Sequence, residues 1–194
     1  MIAVTAATGK TGRAIVQAAA AAGFPVRAVI HSDDGRATVT EDGAAEAVVA
    51  DLLVPAEVRA ALAGTEAVVH IGPAMHPREI AMGETVIDVA AAAGIDHFVL
   101  MSVTHPQLEP LLNHESKLAA ERRLLLSRLR YTILQPMHYM QDVDVVASVS
   151  SGGMLRLFGH YDRYGITGNP NVLSWLLGCA PTSFTDYVKS ALEA

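Results

Sequence analysis

Short apolar runs alternate with helix-like segments along the first two-thirds of the chain, and this alternation limits the available folds more than any other feature. Ile2–Thr5 reads as a short buried strand, and an Ala-rich segment, Arg13–Ala22, follows it and stops at Gly23, as helices commonly do. Pro25–His31 and Ala47–Ala50 read as the second and third strands. Pro55 suits a first helical turn, and the helix it opens, Ala56–Ala63, closes at Gly64. Ala67–Ile71 is a fourth strand, and the helix Arg78–Ala93 after it stops at Gly94. His97–Ser102, the helix His114–Arg128 and the strand Tyr131–Gln135 complete the series. Strands that are apolar on both faces and separated by helices predict a parallel sheet covered on both sides. With right-handed crossovers, that is a doubly wound α/β sheet.

Past Pro136 the regularity fades. Asp142–Ser151 reads as helical, Met154–Phe158 as a strand, and Gly159–Asn171 is rich in Gly, Tyr and Asn. Val172–Leu177 and Phe184–Leu192 read as short helices. The expected organisation is the doubly wound domain over residues 1–136, followed by a small, dependent subdomain over 137–194.

Composition narrows the setting. The chain has 194 residues, 51% hydrophobic and 18% charged, enough apolar material for one sizeable core. Fourteen basic against twenty acidic side chains, net −6, disfavour nucleic-acid and anionic-lipid partners. The single cysteine, Cys179, allows no internal disulfide and is expected as a small buried apolar residue. No basic segment precedes an apolar run at the N-terminus, and no run of about 18 apolar residues occurs. The expectation is a cytoplasmic domain with no membrane span.

The chemistry concentrates between the first strand and first helix, in Thr5-Ala6-Ala7-Thr8-Gly9-Lys10-Thr11-Gly12-Arg13. A Walker A loop would end in Gly9-Lys10-Thr11 but needs its first Gly at Val4, inside the strand, so that reading fails. A dinucleotide loop fits better: Ala6, Gly9 and Gly12 keep a G-x-x-G-x-x-G spacing with Ala in the first place. Gly9 would let a pyrophosphate approach the backbone, Gly12 would let helix and strand pack closely, and the helix N-terminus supplies amides. The competing reading is a tight strand-to-helix turn with no ligand.

Nucleotide choice turns on the end of the second strand, where NAD binders place an acid for the adenosine ribose. Here Ile30-His31-Ser32 lacks it. Arg36, with His31, Arg13 or Lys10, is a candidate for a 2′-phosphate, although Asp33 and Asp34 lie close and Arg36 also reads as a solvated loop charge. The reading favours NADP(H) over NAD(H). Asp51, just past the third strand and before Leu52, either accepts from the adenine amino group or caps the next turn.

Taken together, TAATGKTGR, ADLLVPAEVRAALAGTEAVVHIGP, DHFVLMSVTHP and the block Asn113-His114-Glu115-Ser116-Lys117 through Glu121 to Tyr131–Pro136 resemble the NmrA-like group of atypical short-chain dehydrogenase/reductases. GITGNPNVLSWLLG and PTSFTDYV are similar to the ends of such proteins. The resemblance implies an NAD(P)-binding Rossmann domain with a small C-terminal subdomain over its cleft. It places dinucleotide contacts at Thr5, Ala6, Thr8, Gly9, Lys10, Thr11, Gly12, His31, Arg36, Asp51, Leu52, Ile71, Gly72, Pro73, Lys117 and Pro136. Members of the group include cofactor-sensing regulators and reductases of quinones or other carbonyl compounds. They usually run longer, so residues typical of the family are expected to be absent near Gly159-His160-Tyr161.

Reductases of this superfamily ordinarily use Tyr-x-x-x-Lys on the helix after the fifth strand, with a Ser at the strand end to polarise the carbonyl. Ser102 and Lys117 are present, but Asn113 occupies the Tyr place, and an amide is no general acid. His114, three residues before Lys117, shares its helical face, and imidazole can give up a proton near neutral pH. Against these roles stand an exposed His114, a Lys117 paired with Glu121 across one turn, and a Ser102 bonded to backbone. His70, His76, His97, His105, His138 and His160 are scattered without metal-ligand spacing, so no metal site is expected. Three functional readings follow: a reductase of a quinone or carbonyl compound, a non-catalytic redox sensor acting through a regulatory protein partner, and a degenerate subunit that Ala6 has deprived of nucleotide.

Overall fold

The computed structural model describes residues 1–108, 111, 114–140, 159–165 and 168–193. The chain divides into two compact units, Met1–Gln135 and Pro136–Ala194.

In the first unit, six strands form one all-parallel sheet: β1 (Ile2–Val4), β2 (Val26–Ile30), β3 (Glu46–Val49), β4 (Ala67–Ile71), β5 (His97–Met101) and β6 (Tyr131–Leu134). Their order is β3-β2-β1-β4-β5-β6. The helices are α1 (Lys10–Ala21), α2 (Arg36–Glu41), α3 (Pro55–Leu62), α4 (Glu79–Ala93) and α5 (His114–Leu125).

Alternation along each strand sorts the core into two layers. Val4, Val26, Ala28 and Ile30 pack with Val16 of α1 and Val39 of α2. Ala3, Val29, Val68, Phe98 and Leu100 pack with α3, α4 and α5 through Val58, Leu62, Val86, Ile87, Ala90 and Leu124. Burying each large side chain stabilises the fold by roughly 1.5–3 kcal/mol.

The doubly wound sheet expected from the sequence is the one observed, and β4 keeps its expected bounds. The region between β2 and β3 is more ordered than its sequence suggests: a 3-10 turn, Asp33–Gly35, leads into α2. Six residues with only Val39 buried carry too little periodicity to announce a helix. The order in which strands are added reverses at β1 and β4: from β1 the chain builds outward through β2, and from β4 it builds the other way through β5. A crevice therefore opens at their carboxyl ends.

In the second unit, α6 (Pro170–Leu177) and α7 (Phe184–Glu193) lie where helices were expected, and residues 159–164 are helical as well. The Asn169 side chain accepts from Asn171 N at 3.0 Å to cap α6, and Gly178 ends it in the left-handed region. The expected helix over Asp142–Ser151 and strand over Met154–Phe158 lie outside the described residues. Cys179 corrects the sequence expectation. It is exposed just past the end of α6, whose own Leu173, Trp175, Leu176 and Leu177 are exposed as well.

Candidate functional site

Thr5 closes β1 and ties it to β4 at the switch point. Its buried hydroxyl accepts from Ile71 N at 2.9 Å and lies 2.9 Å from His70 Nδ1 and 3.2 Å from Ile71 O. Burial, and secondarily the charge of Lys117, pushes the His70 imidazole down to about 3, so it is neutral. With these bonds made, Thr5 presents backbone rather than side chain to the crevice.

Ala6 then takes φ +47°, the left-handed region that a glycine would enter without strain. That turn brings Gly9 N to Ala6 O at 3.0 Å and starts α1 at Lys10, with Gly9 as its N-cap and no side-chain cap. The amides of the first turn of α1 point out of the helix towards the crevice, and no acid sits in that turn. Gly12 must be glycine, since a Cβ there would stand 2.7 Å from Ala7 Cα. The loop is thus held against its strand with a helix N-terminus facing the crevice, the arrangement that receives a phosphate. Gly35, which the sequence reading passed over, packs on this loop closely enough that a Cβ would overlap Thr8 Cγ2.

The basic candidates separate. Arg13 donates to both carboxylate oxygens of Asp42, at 2.6 and 2.9 Å, and so turns away from any phosphate. Hydrogen bonds from Arg13 are the chief cause holding the Asp42 carboxyl below its usual range, with Gln17 helping and burial opposing. Arg36 stays half-exposed beside the end of β2, where it donates to Asp33 Oδ1 at 2.7 Å and to Ala47 O at 2.6 Å. His31 is exposed at the same edge. Asp51 caps its turn, with Oδ1 accepting from Leu53 N at 2.9 Å, and Leu52 packs against the core.

At the other side of the crevice, Gly72 and Ser102 lie one step beyond the last paired residues of β4 and β5, Ile71 and Met101. Lys117 reaches this edge from α5 and is only 6% exposed. Its ammonium meets Glu79 Oε1 of α4 at 2.8 Å, while Glu79 is 5% exposed. The solvated pairing with Glu121 is therefore overturned: Glu121 is itself buried and accepts from Gln135 Nε2 at 2.9 Å. Gly72 lies directly on the pair, for a Cβ there would stand 2.8 Å from Glu79 Oε1 and 3.1 Å from Lys117 Nζ. His114 is buried rather than exposed. Ser102 is 6% exposed, its N donates to Leu134 O at 2.8 Å, and none of the described residues hydrogen-bonds its Oγ.

Two non-glycine residues in the loops beyond this edge, Met75 (φ +66°) and His105 (φ +55°), are also left-handed. Asn113 lies outside the described residues, Pro73 follows Gly72, and Pro136 belongs to the second unit. Among the described residues, no three His, Cys, Asp or Glu side chains are placed to hold a metal ion, and no helix is long and apolar enough to cross a membrane.

A parallel sheet in this order, with a glycine-lined and uncapped helix N-terminus at its switch point, defines a dinucleotide-binding Rossmann domain. The sequence profile described as NAD(P)H-binding matches residues 6–154, well over half of the chain, and the chain belongs to that family. No curated protein matches it.

Solved structures show the same fold. An NADPH-dependent quinone oxidoreductase of Escherichia coli, complexed with NADPH, is 26% identical with a TM-score of 0.66, over 73% of this chain and 50% of that one. A Citrobacter sp. triphenylmethane reductase complexed with NADP(H) is 23% identical with a TM-score of 0.63, over 71% of this chain and 50% of its own. ChuY, an anaerobillin reductase from Escherichia coli O157:H7, is 25% identical with a TM-score of 0.58, over 70% of this chain and 71% of its own. The chain thus spans about half the length of the first two. The sequence singled out the loop, the sheet edges and Lys117 as candidates, and it did not single out Glu79 or Gly35, which the structure places beside them.

Proposed function

We propose that the chain is an NAD(P)H-dependent oxidoreductase of the NmrA-like kind, reducing a quinone or other carbonyl compound and taking NADP(H) in preference to NAD(H). The observation that carries this reading is the buried sheet edge, where the Lys117 ammonium and a Ser102 hydroxyl with no hydrogen-bond partner among the described residues lie across the switch point from the phosphate loop. These residues fit a dinucleotide. The α1 amides would hold its pyrophosphate, Lys117 the nicotinamide ribose, and Arg36 with His31 an adenosine 2′-phosphate. When bound, NAD(P)H supplies a hydride.

Ser102 would then donate to the carbonyl oxygen of the substrate, stabilising charge as it develops there. Two-electron reduction of a quinone also takes up one proton, which His114 or water would deliver. The preference for NADP(H) draws support from the absence of an acid at the end of β2 and from neighbours whose structures carry NADPH or NADP(H). On this reading, residues 1–136 hold the nucleotide and residues 137–194 contribute to substrate or partner choice.

Asn113, standing where a reductase of this superfamily has its Tyr, favours a second reading: an NADP(H)-binding redox sensor that signals to a regulatory protein without turnover. Oxidation of NADPH with a panel of quinones, followed at 340 nm, separates the two. Turnover that disappears in Lys117→Met and falls sharply in Ser102→Ala is the reductase outcome. Tight NADPH binding with no turnover on any quinone is the sensor outcome.

A further inference from the structure

The ion pair beneath Gly72 joins two helices at the place where the nicotinamide half of a dinucleotide would lie. A lysine ammonium taken out of water needs a counter-charge, or it loses its proton or withdraws along its flexible stem. Glu79 supplies that charge at 2.8 Å from the first turn of α4. An ammonium carries three N–H donors, and a single carboxylate oxygen at this distance occupies one of them. Glu79 thus fixes the ammonium by charge and leaves it further donors to offer. Gly72 lies over both groups, and Gly83 of α4 faces Ala120 of α5 and His70 of β4 at ordinary packing distance. His70 is neutral and brings no competing positive charge.

We infer that Glu79 is the positioning residue of Lys117, holding its ammonium at the sheet edge with N–H groups directed to the nicotinamide-ribose hydroxyls. The inference rests on the reading that the chain binds NAD(P)H with Lys117 at that ribose. Glu79 touches neither nucleotide nor substrate; it acts through Lys117 alone. Its effect is therefore confined to the nicotinamide half and leaves the phosphate loop untouched.

The test is a binding cycle. Dissociation constants for NADPH, NADH and ADP are measured by titration for the full chain and for Glu79→Gln, Glu79→Asp, Lys117→Met and the Glu79→Gln/Lys117→Met double variant. ADP reports the phosphate loop without the nicotinamide half. Glu79→Gln is expected to weaken binding of the preferred dinucleotide about tenfold or more while ADP binding stays within about twofold. Glu79→Asp, which keeps the charge, is expected to recover most of the loss. The double variant should bind no more weakly than Lys117→Met, because without Lys117 there is nothing for Glu79 to position.

Should Glu79→Gln fail to fold, Glu79→Asp and the double variant, whose buried charges are retained or both removed, carry the same comparison. Wild-type dinucleotide affinity in Glu79→Gln, equal loss of ADP and dinucleotide, or losses that add in the double variant would each overturn the inference alone. A wild-type chain that binds ADP but neither dinucleotide overturns the underlying reading and this inference with it.

Discussion

His70 Nδ1 and the Thr5 hydroxyl lie 2.9 Å apart in a fully buried contact that joins β4 to β1 where the strand order reverses. The same hydroxyl accepts from Ile71 N, so one threonine fixes the spacing of the two strands whose ends frame the crevice. An imidazole pushed down to about 3 by burial makes this joint sensitive to acid.

The sign follows from linkage. Unfolded, the imidazole titrates near its ordinary value of 6.5; folded, it binds a proton only near 3. Its contribution to stability is therefore complete above pH 6.5 and is lost as pH falls through that value towards 3, by up to roughly 1.4 kcal/mol per pH unit. Between pH 7 and pH 5, urea unfolding of the wild type should lose about 2 kcal/mol more than His70→Asn, whose amide replaces Nδ1 as partner for Thr5. Parallel losses in the two proteins would remove His70 as the acid-sensitive group.

Ala6 carries the second prediction. A non-glycine residue at φ +47° bears strain of roughly 1–2 kcal/mol, and glycine returns roughly 0.4–1 kcal/mol of that through the freer unfolded chain. Ala6→Gly should therefore raise stability by about 0.5–1 kcal/mol, with dinucleotide affinity kept or improved. A lowered urea midpoint would show that the loop is not strained at this residue. The same variant tests whether Ala6 has cost the chain its nucleotide.

Much of this was legible in the sequence because it is local. The run Ala67–Ile71 is apolar and is bounded by Thr65-Glu66 and Gly72, so β4 could be bounded without knowing its neighbours. The departure at Ala6 showed against the Gly spacing, and the structure gives it a backbone reason. What escaped the sequence is pairing across distance. Arg13 meets an acid 29 positions later, at the C-cap of a short helix with almost no periodicity of its own. Glu79 looked like any acid in a first helical turn, a favourable and usually solvated place, until α5 brought Lys117 to it. Cys179 went astray because residue type stood in for environment: Trp175, Leu176 and Leu177 just before it are exposed, and it is exposed with them.

Gly12 supplies a prediction of opposite sign to that at Ala6. A methyl group there would stand 2.7 Å from Ala7 Cα and 2.9 Å from Ala7 C, both backbone atoms that cannot rotate away. Gly12→Ala should push α1 off its loop, lowering stability by roughly 1–3 kcal/mol, as overpacking does. ADP and dinucleotide binding should weaken together, because the displaced amides serve both. Thermal melting and ADP titration check the two parts, and unchanged ADP affinity would dissociate this close approach from phosphate binding.

Asp33 and Arg36 bear on nucleotide choice. The guanidinium donates to Asp33 Oδ1 at 2.7 Å and to Ala47 O at 2.6 Å, which anchors it beside the end of β2 while half of it remains in solvent. An exposed pair of this kind holds its partners by about 0–1 kcal/mol, so a 2′-phosphate with greater charge can compete for the guanidinium. Arg36→Ala should weaken NADPH several-fold and leave NADH nearly unchanged. Asp33→Asn should do the reverse, strengthening NADPH a few-fold by removing both a competitor and a negative charge near the phosphate. Raising the salt concentration should shrink both effects, since the groups are exposed and screened. Titration of the three proteins with both dinucleotides at low and high salt measures the ratio directly. An NADPH-to-NADH ratio that neither substitution changes would place nucleotide selection away from Arg36.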